Sequence, residues 1–145
     1  MDTNENKQLC LNSIRTPDGT VLTSRSRHEY VTHVDENGQQ YMVDGGLDYI
    51  RRNVHDDYPY EELSLYMDDD WKLIRTVVTW GALKDGYTQQ IPLKQMSRAH
   101  ITNIIADGYT GRYVDMMIKE IQYRDDTETL SEAKRMEIQR EHSYG

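Results

Sequence analysis

Between Leu9 and Val43 the apolar positions come in short runs separated by turn residues, which is the pattern of strands. Leu9 to Arg15 reads as a first strand. Thr16 to Thr20 (T-P-D-G-T) is turn chemistry: Pro17 presets φ and Gly19 accepts φ > 0. Val21 to Ser24 returns as a second strand, and Tyr30 to Val34 is a third. Asn37-Gly38 is a hairpin signal, and it leads into a fourth strand at Gln39 to Val43. The first third of the chain is therefore expected to be an antiparallel meander. Asp44 to Asn53 breaks the sheet in a short helical turn, with Gly45-Gly46 as the strand exit. Tyr60 to Met67 reads as a strand rejoining the sheet.

Beyond Met67 the apolar spacing changes to that of helices. Asp68, Asp69 and Asp70 suit a helix N-terminus, where carboxylates meet unpaired N–H groups. Trp71, Ile74, Val77 and Val78 follow at helical spacing, with Gly81 and Leu83 to Gly86 ending the helix. Gln89 to Leu93 is a short strand. Ser97 is an N-cap for a helix carrying Ile101, Ile104 and Ile105. Gly108 and Gly111 separate it from a helix whose Val114, Met117, Ile118 and Ile121 form a buried stripe. Thr129 and Glu132 have capping-box spacing and start a last weak helix. The expectation is an α+β fold: an antiparallel meander with a short helix inserted and two or three C-terminal helices. Residues 1–8 read as a flexible N-terminus, 9–124 as a single ligand-binding domain and 125–145 as a weakly helical or partly ordered tail.

Composition narrows the chemistry. The 145 residues carry a formal charge of -8. That argues against tracking along a long nucleic acid, which needs phosphates neutralised over an extended surface. It leaves room for one small anion held by a few arginines. Eleven tyrosines stand against two tryptophans and no phenylalanine. Most tyrosines are expected half-buried on strands, although the residue also serves ligand sites. Cys10 alone makes no internal disulfide, fits a reducing compartment and excludes a cysteine-based metal site. No signal-peptide pattern and no membrane-spanning apolar run is read, so no membrane partner is expected.

The basic residues cluster in S-R-S-R-H-E-Y-V-T-H, Ser24 to His33. Read as one strand, His28 and His33 point to opposite faces and do not share a metal. No H-x-x-x-H or H-E-x-x-H appears, so neither metal nor cofactor is expected. A Ser/His/Asp triad needs no adjacency and is left open by spacing, but no G-x-S-x-G marks a nucleophile. Asp56-Asp57 and Glu61-Glu62 read as solvated surface rather than as acid–base pairs. Arg25, Arg27, His28 and Tyr30, with Arg51 and Arg52 after the glycine pair, form a candidate anion site, since guanidinium forks suit phosphate. Each arginine has the competing use of pairing with a surface acid. A second candidate group lies at element ends: Trp80, Tyr87, His100, Asn103 and Arg112. Asn103 is disfavoured in mid-helix unless a partner holds it.

The run R-T-P-D-G-T-V-L-T-S-R-S-R-H-E-Y-V-T-H-V-D-E-N-G-Q-Q-Y-M-V-D-G-G-L-D-Y-I-R-R resembles a family of small tailed-phage proteins. So do W-G-x-x-K-D-G, I-P-L-K-Q-M-S-x-x-H-I and E-I-Q-Y-R. The likeness covers roughly residues 13–124 and points to the first-described Thoeris anti-defence family, the nucleotide-signal sponges. It implies a non-enzymatic protein of the infected bacterial cytoplasm that binds a cyclic ADP-ribose isomer made by a TIR enzyme and does not cleave it. Some members bind cyclic oligonucleotides at a separate site. The resemblance also implies an antiparallel sheet with C-terminal helices and a homo-oligomer built from dimers. By motif, Arg25, Arg27 and His28 would meet a phosphate-rich ligand across a subunit interface. The I-P-L-K-Q-M-S-x-x-H-I segment and the helix near Arg112 would hold the base. Gln89 and Gln90 stand where the family implies a stacking aromatic, which leaves stacking to Tyr87 or Trp80 or to neither. Two other readings remain: a protein that blocks a host enzyme by direct contact, and a small nucleotide phosphodiesterase.

Overall fold

A computed structural model describes residues 7–53 and 55–143. Most of the expected flexible N-terminus, residues 1–6, lies outside the described residues. The fold is α+β. The chain forms two compact units, the first ending at Val78 and the second beginning at Thr79.

In the first unit β1 (Leu9–Arg15) pairs antiparallel with β2 (Val21–Ser24). The T-P-D-G turn joins them: the Gly19 N–H reaches the Thr16 carbonyl, and Gly19 sits at φ 91°. β3 (Val31–Val34) pairs antiparallel with β4 (Gln40–Asp44) through the same kind of turn. There the Gly38 N–H reaches the Asp35 carbonyl, and Gly38 takes the left-handed conformation that closes a three-residue hairpin loop.

The strands pair antiparallel as expected, but the meander is split. β2 and β3 are not hydrogen-bonded to each other, and two sheets result. The reason is local. Residues 25–30, between β2 and β3, make a turn of their own, with the Glu29 N–H bonded to the Ser26 carbonyl. The exit after β4 is one turn, Asp48 and Tyr49 N–H to the Gly45 carbonyl, followed by β5 (Arg51–Arg52) beside β4. The strand expected over Tyr60 to Met67 is two short pieces, β6 (Glu61–Glu62) and β7 (Leu65–Tyr66), both on β1. Ile14, Leu22, Tyr41 and Val43 form the buried cluster, with Val31 and Tyr60 packed on it. α1 (Trp71–Val77) is capped by Asp70, whose side chain accepts the Lys72 N–H. It buries Trp71 and Ile74.

α1 ends earlier than Gly81. Thr76 to Thr79 is a β-branched run, and Val78 is already extended. The second unit therefore opens with a hairpin, β8 (Thr79–Lys84) and β9 (Tyr87–Pro92). Its tip is Asp85 at φ 53° and Gly86 at φ 83°, a two-residue turn with both residues left-handed. A one-turn 3-10 helix, Leu93–Gln95, leads to α2 (Arg98–Ala106), capped by Ser97 accepting the His100 N–H. α3 (Arg112–Ser143) runs as one helix, so Thr129 and Glu132 start no separate element. Of the expected apolar stripes, Ile101, Ile104, Val114 and Met117 are buried, whereas Ile105 and Ile118 are exposed. Met116 and Glu120 are fully buried instead. Glu120 is neutralised by Arg124, at 2.7 Å, whose other nitrogen reaches the carbonyls of Leu93 and Met96.

Candidate ligand-binding site

After Ser24, which ends β2, the S-R-S-R-H segment is a loop, so the strand-parity argument that separated His28 from His33 does not apply to it. Its shape is set by the glycine pair. Ser24 Oγ donates to the Glu29 carbonyl at 2.7 Å and accepts the Gly46 N–H at 2.9 Å. A Cβ at Gly46 would lie 2.7 Å from the Arg27 nitrogen and closer still to the Ser26 carbonyl, so only glycine admits this approach. Gly45, at φ 104°, is crowded in the same way by Tyr49. Beneath the turn, Asn12 Nδ2 faces the carbonyls of Asp44, Gly46 and Tyr49 at 2.9, 2.9 and 3.1 Å. Asn12 is fully buried on β1, and its Oδ1 has no partner among the described residues.

Side chains of the two loops meet above this frame. Arg27 Nε lies 3.6 Å from Asp48 Oδ2, with both side chains more than half exposed. Arg51 Nε lies 3.3 Å from Asp44 Oδ2, and its guanidinium stands 6.0 Å over the Tyr30 ring. The Arg25 N–H donates to Glu29 Oε1 at 3.1 Å. His28 is exposed. Arg25, Arg27, His28 and Tyr30 thus share one loop, which meets the segment after β4 through the Arg27–Asp48 pair and the Tyr30–Arg51 contact.

Arg52 does not join them. Its side chain is 6% exposed and binds both Glu62 oxygens, at 2.9 and 3.3 Å, and Ser64 Oγ. It ties β5 to β6. Strand alternation is the cause, because neighbouring residues on β5 face opposite ways.

His33 belongs to a different group. Its Nε2 lies 2.9 Å from Asp18 Oδ2 and 4.0 Å from Asp35 Oδ1. Asp18 Oδ1 accepts from Thr16 Oγ1 at 2.7 Å and from the Thr20 N–H at 3.0 Å. Asp35 accepts the Asp18 N–H and the Asn37 side-chain amide. The Asp18 carboxyl is held well below the usual carboxylate range. Its hydrogen bond with Asp35 is the largest cause, followed by those with His33, Thr20 and Thr16, against a smaller opposing effect of burial.

In the second unit Trp80 is half-buried on β8, with Tyr109 and Tyr113 edge-on to it at 6.3 and 6.0 Å between ring centres. Tyr87 stands 77% exposed beside the hairpin tip. Gln90 Oε1 accepts the Thr79 hydroxyl at 2.8 Å, which spends its carbonyl within the hairpin. His100 is half-buried on α2, Asn103 is exposed on the same helix, and Arg112 opens α3 half-buried. Asn103 faces solvent, so the tertiary partner expected from its mid-helix position is not needed.

Tyr109 and Tyr113 were missed because they flank the glycine break rather than a motif. Asn12 was missed because one amide inside an apolar strand carries no pattern. The visible signal was a polar residue at an inward position. Elsewhere on the first unit lies an apolar groove of about 380 Å³ lined by Leu11, Val21, Leu63, Leu65, Leu73 and Val77. None of the candidate residues lines it. Comparison with protein-family models, with curated proteins and with solved structures finds no match to the chain.

Proposed function

We propose that the chain is a phage anti-defence protein that binds and sequesters a cyclic nucleotide immune signal without turning it over. The ligand class comes from the family resemblance: a cyclic ADP-ribose isomer from a TIR enzyme, with cyclic oligonucleotides as a further class. The observation that carries the reading is the loop 24–30 fixed on the Gly45-Gly46 turn. It exposes Arg27 and His28, and its Tyr30 ring lies 6.0 Å from the Arg51 guanidinium. Guanidinium and imidazole groups on a preformed loop bind phosphate at low ordering cost. The acids around the loop are already engaged: Glu29 accepts the Arg25 N–H, and Asp48 and Asp44 each pair with an arginine. Trp80 with Tyr109 and Tyr113 offers an aromatic surface for a base in the second unit. The protein acts in the cytoplasm of an infected bacterial host, as a homo-oligomer. Among the described residues no helix is long and apolar enough to cross a membrane.

The test is incubation with a cyclic ADP-ribose mixture made by a TIR enzyme, followed by removal of free ligand, heating and analysis of what is released. The expected result is depletion from solution and release of unchanged nucleotide. Altered nucleotide would make the protein an enzyme. No depletion would reject nucleotide binding and leave direct contact with a host enzyme as the reading to pursue.

A further inference from the structure

Asp18, His33 and Asp35 each offer one ligand atom, and all three atoms lie within 4.8 Å of one another. They come from two hairpin turns of the first unit. Asp18 is in the β1–β2 turn. His33 and Asp35 are two apart at the end of β3, so strand periodicity sends both side chains to one side. We propose that this cluster is a divalent-cation site that clamps the two turns together, with zinc the best-fitting ion.

Charge is the first argument. The Asp35 side chain is 1% exposed and that of Asp18 is 10% exposed. Among the described residues the only basic group within ion-pair distance of either carboxylate is His33. Asp35 is buried and Asp18 more open, and with one imidazole between them they leave a charge deficit; a buried charge is tolerated when paired or bound to metal. A divalent cation with a neutral imidazole closes it.

Geometry is the second argument. Zinc bonds nitrogen and carboxylate oxygen at about 2.0–2.2 Å, so tetrahedral ligand atoms stand roughly 3.4 Å apart. The two histidine separations, 2.9 and 4.0 Å, lie on either side of that value. The outer groups are also in place. Asp35 Oδ2 is held by the Asn37 amide at 2.9 Å and Asp35 Oδ1 by the Asp18 N–H at 3.1 Å, which orients the ligand oxygens. The Thr16 hydroxyl, 3.5 Å from Asp35 Oδ1, stands beside them. One imidazole with two carboxylates matches zinc better than magnesium or calcium, which take six or more oxygens.

The experiment is calorimetric titration of the chelator-treated full chain with Zn²⁺ and, separately, with Mg²⁺ and Ca²⁺. Co²⁺ serves as a spectroscopic probe. The expected result is one Zn²⁺ per chain, no comparable uptake of Mg²⁺ or Ca²⁺, and visible Co²⁺ absorption of a four-coordinate site. His33→Gln keeps an amide donor for Asp18 while removing the imidazole ligand, and is expected to lower zinc affinity at least tenfold with an unchanged melting point in chelator. A triple variant, His28→Gln with His55→Gln and His100→Gln, is expected to bind as the parent does. No uptake of micromolar Zn²⁺ by the parent, or uptake that survives His33→Gln, overturns the proposal.

Discussion

Two charged clusters in the first unit are built from similar residues and used in opposite ways. Asp18, His33 and Asp35 turn inward, with every carboxylate oxygen engaged by a donor or the imidazole. Arg27 and His28 stand outward on a loop, and Asp48, the acid beside Arg27, is itself more than half exposed. The backbone decides which is which. The inward cluster lies at hairpin turns whose N–H groups, with the Thr16 hydroxyl and the Asn37 amide, complete its bonding. The outward one lies on a loop whose own backbone is satisfied by Ser24, Glu29 and Gly46. Its side chains are therefore not needed to hold its shape. The difference separates charge spent on architecture from charge left at the surface.

The strongest way to break that separation is to move the loop. Gly46→Ala puts a methyl group against the Ser26–Arg27 backbone. A loss of about 3 kcal/mol or more is expected, from backbone strain and collision together. Gly19→Ala is the control, with φ 91° but nothing within 4 Å of the added carbon. It should cost only the left-handed strain, about 1–2 kcal/mol. Denaturant midpoints of the two variants give the comparison, and equal losses would mean that the Gly46 approach does not shape the loop.

Next in size is removal of the outward charge. Arg25→Ala with Arg27→Ala should weaken nucleotide binding about a hundredfold, taking charge-assisted hydrogen bonds at about 1.5 kcal/mol each. The melting point should shift little, because exposed ion pairs contribute roughly 0–1 kcal/mol. Unchanged affinity for every nucleotide tried would make S-R-S-R-H an architectural segment.

The inward cluster has a pH signature instead. Asp18 is more acidic in the folded chain than in the unfolded one. Its contribution to stability is therefore complete above the ordinary carboxylate range, near pH 4, and is lost as the pH falls through that range toward the folded value. In chelator, Asp18→Asn should flatten the acid limb of a plot of melting point against pH while leaving nucleotide affinity unaltered. An acid limb as steep as the parent's would show that Asp18 does not carry it.

How much of this was legible depended on whether the signal was local. The first two strands, the Asp70 and Ser97 caps and the turns at Gly19 and Gly38 follow from residues within a few positions of each other, and they are where the sequence places them. Asp85-Gly86 carried the same hairpin signal as Asn37-Gly38, but Trp71 to Val78 had set a helical register that Gly81 was taken to end. The candidate residues were legible as types and not as roles. Nothing local distinguishes Arg51, over Tyr30, from Arg52, locked on Glu62. His33 with Asp35 was a readable same-face pair, whereas its third member comes from another turn and needed the fold.

The smallest expected effect tests the comparison most finely. Asp48 holds Arg27 at 3.6 Å, in solvent. An anion approaching Arg27 must compete with that carboxylate and is also repelled by it. Asp48→Asn removes both effects while keeping the side chain's size. An exposed pair is worth about 0.2–1 kcal/mol, so nucleotide affinity should rise by a factor of roughly 1.4 to 5. The gain should shrink at high salt, where such interactions are screened. Stability should stay within about 0.5 kcal/mol of the parent, as for most surface changes. Calorimetric titration at two salt concentrations measures all but the stability, which a denaturant midpoint supplies. Weaker binding by Asp48→Asn would mean that the carboxylate aims Arg27 at the ligand. The outward cluster would then be positioned by its acids, as the inward one is, and the distinction between them would fail.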